Sequence, residues 1–325
     1  MLREQKPELR MIAWEVTRSC NLSCIHCRAS AEMGPYEGEL TTKQCFDVID
    51  QIVSFAQPVV ILTGGEPLMR DDIFEIASYG TQKGLRMVMA PNGTLITEEN
   101  AEKMKQAGIE RVSISIDGAT RESHNNFRQM EGAFEGAMRG IEIIKKAGIE
   151  FQINSTVSAV NLKEIEAIQE LAIKLGAVAH HIFLLVPTGR GKDMKDQEIT
   201  PQEYEDVLNW FYEQGEKVHI QLKATCAPHY YRILRERAKK EGKKVTFEKY
   251  GLDAVTRGCL GGIGFCFISH RGDVQPCGYL ELNCGNVKET RLQEIWEDSQ
   301  IFNDLRNYEH YQGKCGVCEF KHVCG

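Results

Sequence analysis

Cys20, Cys24 and Cys27 fall within one stretch, Cys20-Asn21-Leu22-Ser23-Cys24-Ile25-His26-Cys27, directly after an apolar, β-like run. Three thiolates on a single loop can hold three irons of a [4Fe-4S] cluster and leave the fourth iron open to another ligand. A structural site closed by four protein ligands is a different arrangement. A zinc ion with a fourth ligand such as His26 is a competing chemistry, and a disulfide is a third. More thiols come late in the chain: Cys259, Cys266 and Cys277, then Cys315, Cys318 and Cys324. Cys45, Cys226 and Cys284 stand apart. The first residues, Met1 to Lys6, contain no apolar export segment. Twelve cysteines in this setting therefore point to metal ligation or catalytic thiols in a cytoplasmic protein.

Something must position these loops. Apolar or β-branched runs recur at Ile12–Thr17, Val59–Thr63, Arg86–Ala90, Arg111–Ile116, Glu150–Val157 and His181–Val186. Helical periodicity fills the gaps at Thr41–Phe55, Asp71–Lys83, Thr97–Ala107, Ala133–Ala147 and Leu162–Leu175, the first capped by Thr41 or Thr42. Gly84, Gly108, Gly148 and Gly176 follow helices where a left-handed cap is wanted. Six strand-then-helix units predict an α/β fold, a partial (β/α)6 barrel, with a doubly wound open sheet as the alternative. Barrels keep their chemistry on loops at strand C-termini, and the first thiol loop is in such a place.

Beyond Val186 comes a polar loop at 187–193, then a helix at Pro201–Gln214 and a strand at Val218–Lys223. The charged stretch Arg232–Lys244 reads as a solvated helix face. From Cys259 the chain is rich in Cys and Gly and poor in apolar material, so a metal staple is the physical way to order it. The organisation expected is a 1–10 extension, an 11–220 barrel, a 221–258 linker and a 259–325 cysteine-rich module. With Lys+Arg 39 against Asp+Glu 46, the net charge of −7 argues against nucleic-acid partners. Apolar runs far shorter than ~20 residues argue against a membrane span.

The CxxxCxxC loop after the first strand, with Gly64-Gly65-Glu66-Pro67 directly after the second, resembles the radical S-adenosylmethionine enzymes. The resemblance implies that Cys20, Cys24 and Cys27 hold a [4Fe-4S] cluster whose open iron is chelated by S-adenosylmethionine. One electron then cleaves the sulfonium to a 5′-deoxyadenosyl radical, which abstracts hydrogen from an unactivated carbon. It also implies that Gly64, Gly65, Glu66 and Pro67 approach the methionine amino group. Ser115 and Asp117 on the fourth strand, Asn92 after the third and Asn154 on the fifth would lie near the rest of the cofactor. Asn92-Gly93 and Asp117-Gly118 can equally be simple turns.

The late cysteines resemble the SPASM module of the same family. Cys259, Gly272 and Cys277 fit its first spacing, and Cys315, Cys318 and Cys324 its CxxCxxxxxC. That implies one or two auxiliary [4Fe-4S] clusters, with Cys259, Cys266 and Cys277 serving one and Cys315, Cys318 and Cys324 the other. The family's further CxxxC and final Cys are not met before Gly325, so each cluster is expected to lack a fourth cysteine here, as in a shortened module. A two-zinc module is the alternative.

Blocks at Ala13–Arg18, Met89–Thr94, His180–Arg190, Lys223–Tyr231 and Arg257–Gly262 resemble the porphyrin-decarboxylating subgroup of the alternative haem pathway. This implies oxidative decarboxylation of two propionates of iron-coproporphyrin III to the vinyls of haem b. A flavodoxin or ferredoxin would serve as electron donor. Arg190 or Lys223 would pair a propionate, and His180, His181 or His229 would contact the iron or the porphyrin. Other porphyrin substrates, such as didecarboxysirohaem or a haem d1 precursor, and a peptide or enzyme maturase are the alternatives.

Overall fold

In the computed structural model, residues 7–246, 248 and 257–325 are described. The first six residues of the 1–10 extension, and residues 247 and 249–256 of the 221–258 linker, lie outside them. Seven strands follow one another in parallel: β1 Met11–Thr17, β2 Val59–Gly64, β3 Arg86–Met89, β4 Arg111–Ser115, β5 Glu150–Val157, β6 Ala179–Leu184 and β7 Gln221–Thr225. Helices α1 Thr42–Val53, α2 Ile73–Gln82, α3 Glu98–Gln106, α4 Arg121–Arg128, α5 Ala133–Ala147, α6 Ile165–Leu175, α7 Pro201–Gln214 and α8 Tyr230–Lys240 lie between or after them. The sheet does not close, since β7 is one edge. It is an α/β fold of the open-barrel kind the alternation predicts.

The cysteine-rich segment joins the main sheet. Its first strand, β8 Phe265–Ile268, pairs in parallel with β1, and β9 Asp273–Gln275 and β10 Gly285–Asn286 extend that edge antiparallel. Such a pairing across some 250 residues carries no local signal in the sequence. Helix α9 Leu292–Asp298 packs against α1, and its Trp296 joins the main apolar core.

Strand alternation divides the side chains into two sets. Ile12, Trp14, Val60, Leu62, Met87, Met89, Val112, Ile114, Ile153 and Ile268 form the helix-covered core. The inner face is polar. Ser115, Asn154, His181 and Lys223 stand in one register row, with Ser113 and Gln152 in the row before. Helix α4 escapes the periodicity because Phe127 is the sole apolar residue in Arg121–Arg128; Thr120 caps it through a capping box with Ser123. The charged stretch is amphipathic rather than simply solvated: α8 buries Tyr230, Tyr231, Ile233 and Leu234. Tyr230 and Tyr231 therefore pack the helix. No helix of the described residues is long and apolar enough to cross a membrane.

Candidate functional site

β1 ends at Thr17, and the chain turns at once into the thiol loop. Cys20 and Cys24 are buried and Cys27 partly so. Burial pushes the Cys20 thiol up to about 12. It raises Cys24 as well, while the Arg128 guanidinium, 3.6 Å from the Cys24 sulfur, favours the thiolate. No three His, Cys, Asp or Glu side chains among the described residues gather around a point as one metal ion requires. His26, the fourth ligand that a zinc would use, packs its partly buried ring on Phe127 at 4.6 Å.

The glycines after β2 are needed by the protein's own backbone. A Cβ on Gly65 would come 2.5 Å from the Arg18 carbonyl oxygen and 2.7 Å from the Ser19 carbonyl carbon, and one on Gly64 would run into the Thr17 carbonyl. Instead the Gly65 N–H donates to Thr17 O (2.9 Å) and the Glu66 N–H to Ser19 O (2.8 Å). This segment fixes the start of the thiol loop against the end of β2. Glu66 is fully buried, which pushes its carboxyl up to about 7, and it accepts N–H bonds from Asn92 (2.6 Å) and Leu68 (3.1 Å). Pro67 begins the turn that follows. Asn92 donates to Asn21 in the thiol loop (2.8 Å), while Gly93 beside it adopts φ +93°. Asn92-Gly93 is thus both a turn and a tie to the loop.

Asp117 does not project freely toward a ligand. It is buried in an ion pair with Arg128 and accepts the Thr156 N–H at 2.6 Å. Burial opposes its charge, and Arg128 outweighs that, holding the carboxyl below its ordinary range. The resulting chain runs from Asp117 through Arg128 to Cys24. Arg128 carried no motif, and only its position at the end of a capped helix could have flagged it.

Arg190 also differs from expectation. Its guanidinium donates to the Cys24 carbonyl (2.9 Å) and the Ala31 carbonyl (2.8 Å), and its N–H to the Cys27 carbonyl (3.0 Å). It clamps the thiol loop rather than reaching for a carboxylate. The preceding Gly189, at φ +55°, lies so close that a Cβ would sit 2.6 Å from the Arg28 carbonyl carbon. A third brace is Glu15, on the inner face of β1, bonded to Arg28 (2.6 Å) and to His270 (2.7 Å). Burial opposes its charge, but His270, Arg28 and Arg18 outweigh it and hold the carboxyl at about 2.

Of the His pair, His180 faces the helices and bonds Ser155 (3.1 Å), and His181 faces inward. Gln152 lies 3.0 Å from His181 Nδ1 and donates to Asn154 Oδ1 at 2.9 Å. Among the described residues His181 Nε2 is buried without a partner. Burial, with Lys223 beside it, lowers His181 to about 3, so the ring is neutral at ordinary pH. With the Gln152 amide donating to Nδ1, Nε2 carries the proton and points an unused donor inward. Lys223 is its register neighbour, and no carboxylate pairs with it among the described residues. Arg111, farther down this face, is committed to Glu150 (2.8 Å). His229 is not in this row; it packs edge-on against Tyr204 at 5.3 Å.

The late thiols form two neighbourhoods. Cys315, Cys318 and Cys324 lie in electrostatic range of one another. Cys259 and Cys277 are likewise close, but their third neighbour is Cys226, one of the cysteines that spacing set apart. Cys266 is not among them. It sits on the helix-covered face of β8 opposite Ile12, fully buried in the apolar core, with Cys284 as its nearby thiol. Tyr279 is within range of Cys226, Cys277 and Cys27, so this group adjoins the first thiol loop.

Residues 14–172 match the radical SAM superfamily, and residues 259–319 match the SPASM iron–sulfur cluster-binding domain. The AdoMet-dependent heme synthase of Oleidesulfovibrio alaskensis is 57% identical over 100% of this chain and 84% of its own. That of Methanosarcina barkeri is 54% identical over 97% and 90%. The Fe-coproporphyrin III synthase of Methanosarcina barkeri is 32% identical over 100% and 84%. Among solved structures, Streptococcus suis SuiB bound to S-adenosylmethionine has a TM-score of 0.73 at 14% identity, covering 98% of this chain and 72% of that one. Native anSMEcpe with bound AdoMet has a TM-score of 0.70 at 20% identity, covering 97% and 88%. At those identities the structural likeness shows the fold alone.

Proposed function

We propose that this chain, which belongs to the radical SAM superfamily and within it to the family of the AdoMet-dependent heme synthases, converts iron-coproporphyrin III to haem b. The observation that carries the reading is the likeness to those relatives from the first thiol loop to the cysteine-rich end. Each vinyl forms when a propionate loses one hydrogen atom, one carbon dioxide and one electron.

The residues present fit the cofactors. Cys20, Cys24 and Cys27 are the ligands for a [4Fe-4S] cluster, and the late thiols provide for auxiliary clusters. Bound together, the first cluster and S-adenosylmethionine supply a 5′-deoxyadenosyl radical. The protein's part is to hold the loop rigid. Gly64 and Gly65 seat it against β2, Arg190 and Glu15 brace it, and Arg128 favours the thiolate at Cys24. Ser115 and Asn154 line the inner face beside it, within the region expected to receive the cofactor.

The substrate is a flat, apolar ring bearing carboxylates, and a buried carboxylate needs a partner. His181 Nε2–H and the Lys223 ammonium stand side by side on the inner face and meet that need. Gln152 fixes the His181 tautomer. A neutral His181 leaves the ring able to donate without adding a second charge beside Lys223. Delivery of electrons by a cytoplasmic flavodoxin or ferredoxin completes the proposal.

The test is a fluorescence titration with metal-free coproporphyrin III. Lys223→Ala should weaken binding by roughly ten- to a hundredfold, the equivalent of ~1.5–3 kcal/mol for a bond to a charged group. S-adenosylmethionine cleavage without porphyrin should be unchanged. A wild-type protein that cleaves S-adenosylmethionine yet binds no porphyrin would overturn the reading.

A further inference from the structure

We propose that Cys226 is a ligand of the auxiliary iron–sulfur group, together with Cys259 and Cys277, in the place that spacing gave to Cys266. The argument is one of placement and does not depend on the substrate. Cys226 follows the last residue of β7, and its backbone adopts φ +55°. A non-glycine residue is uncommon there and strained. That turn puts a partly buried thiol in range of Cys259 and Cys277, so three separate segments each contribute one.

The segments are locked together. Tyr204 donates its hydroxyl to the Cys226 carbonyl (3.2 Å). Gly258 fits where a Cβ would stand 2.7 Å from Pro228 Cα. The Gly258 and Cys259 N–H groups donate to Val323 O (2.9 Å) and Cys324 O (2.7 Å). Gly261 approaches Pro276, which brings the Cys259 segment to that of Cys277. Among the described residues the Cys226 thiol makes no hydrogen bond. A partly buried thiol with no bond of its own, in range of two others, is the kind of group that can ligate iron–sulfur.

Cys266 cannot take this part without rebuilding the sheet. It and Ile268 face the helices, while Phe265 and Phe267 face inward, where Arg28 lies over the Phe267 ring at 4.6 Å. A one-residue slip of β8 would be needed to turn Cys266 inward, and that would expel Ile268 from the core.

The experiment uses the full chain with Cys20, Cys24 and Cys27 replaced by Ala, so that only auxiliary iron is read. After anaerobic reconstitution with iron and sulfide, iron content, acid-labile sulfide and the electron paramagnetic resonance spectrum of the reduced protein are measured. Cys226→Ala should lose one cluster's worth of iron and sulfide and its spectral component. Cys226→Gly should lose the same while relieving the left-handed strain, so its melting temperature without iron should equal or exceed that of the parent. Cys266→Ala should keep its iron and spectrum. Full iron and an unchanged spectrum in Cys226→Gly, or loss of the cluster in Cys266→Ala, would overturn the assignment. Both readouts are independent of porphyrin, so failure of the haem reading would leave this result standing.

Discussion

Gly65→Ala adds one methyl group at the joint between β2 and the thiol loop. The new Cβ would lie 2.5 Å from the Arg18 carbonyl oxygen and 2.7 Å from the Ser19 carbonyl carbon. An ordinary contact begins nearly 1 Å farther out, and both neighbours are backbone, so no rotamer change relieves the clash. The strand end or residues 18–19 must move by about 1 Å, and Cys20 moves with them. Overpacking of this kind costs typically 1–3 kcal/mol. A misplacement of about 1 Å at a reacting centre can cost roughly a hundredfold in rate. We therefore expect Gly65→Ala to lower S-adenosylmethionine cleavage about a hundredfold, measured as 5′-deoxyadenosine by chromatography without porphyrin. Gly148→Ala is the control. Its position, at φ +73°, has no atom within 4 Å of an added Cβ, so it carries backbone strain of about 1 kcal/mol and no clash. That variant should melt somewhat earlier and cleave normally. Wild-type cleavage by Gly65→Ala would refute the steric reasoning.

Arg190→Ala removes the two side-chain bonds that clamp the thiol loop, each worth ~1.5–3 kcal/mol. It should lower radical-cluster iron and cleavage even without porphyrin; a defect confined to porphyrin binding would contradict the clamp. Arg128→Met should destabilise the fold by about 3–5 kcal/mol in urea, because Asp117 stays buried without its partner, and adding Asp117→Asn should recover part of the loss. Glu15 gives a pH dependence. Its carboxyl is held at about 2 against an ordinary 4.5, so its contribution, roughly 3 kcal/mol, is present above pH 4.5 and is lost as pH falls toward 2. Acid titration of the iron-free protein by circular dichroism should be shallower for Glu15→Gln than for wild type, and equal slopes would remove Glu15 as a brace.

What was legible in the sequence is what is local. Cys20, Cys24 and Cys27 and the Gly64-Gly65-Glu66-Pro67 segment lie within short spans at strand ends, so residue type and spacing revealed them. The β/α alternation likewise announced the sheet. Long-range pairing was hidden. Period-two alternation puts Cys266 and Phe267 on opposite faces, but which face is inward depends on the pairing of β8 with β1. Cys226 looked isolated because spacing counts neighbours along the chain, whereas its partners arrive through the fold. Arg190 lies against the thiol loop, where the Cys24 and Ala31 carbonyls accept from its guanidinium. A cation on a loop after a strand reads as a ligand for substrate, and nothing local says that carbonyls of the thiol loop will claim it. The inward member of the His180-His181 pair needed the register with Asn154 and Lys223.

The central claim is tested most directly by anaerobic incubation of the reconstituted wild-type protein with iron-coproporphyrin III, S-adenosylmethionine and a reductant, followed by mass analysis of the porphyrin. The account predicts a monovinyl intermediate and then haem b, with 5′-deoxyadenosine formed in step. Steady production of 5′-deoxyadenosine beside an unaltered iron-coproporphyrin III would contradict it.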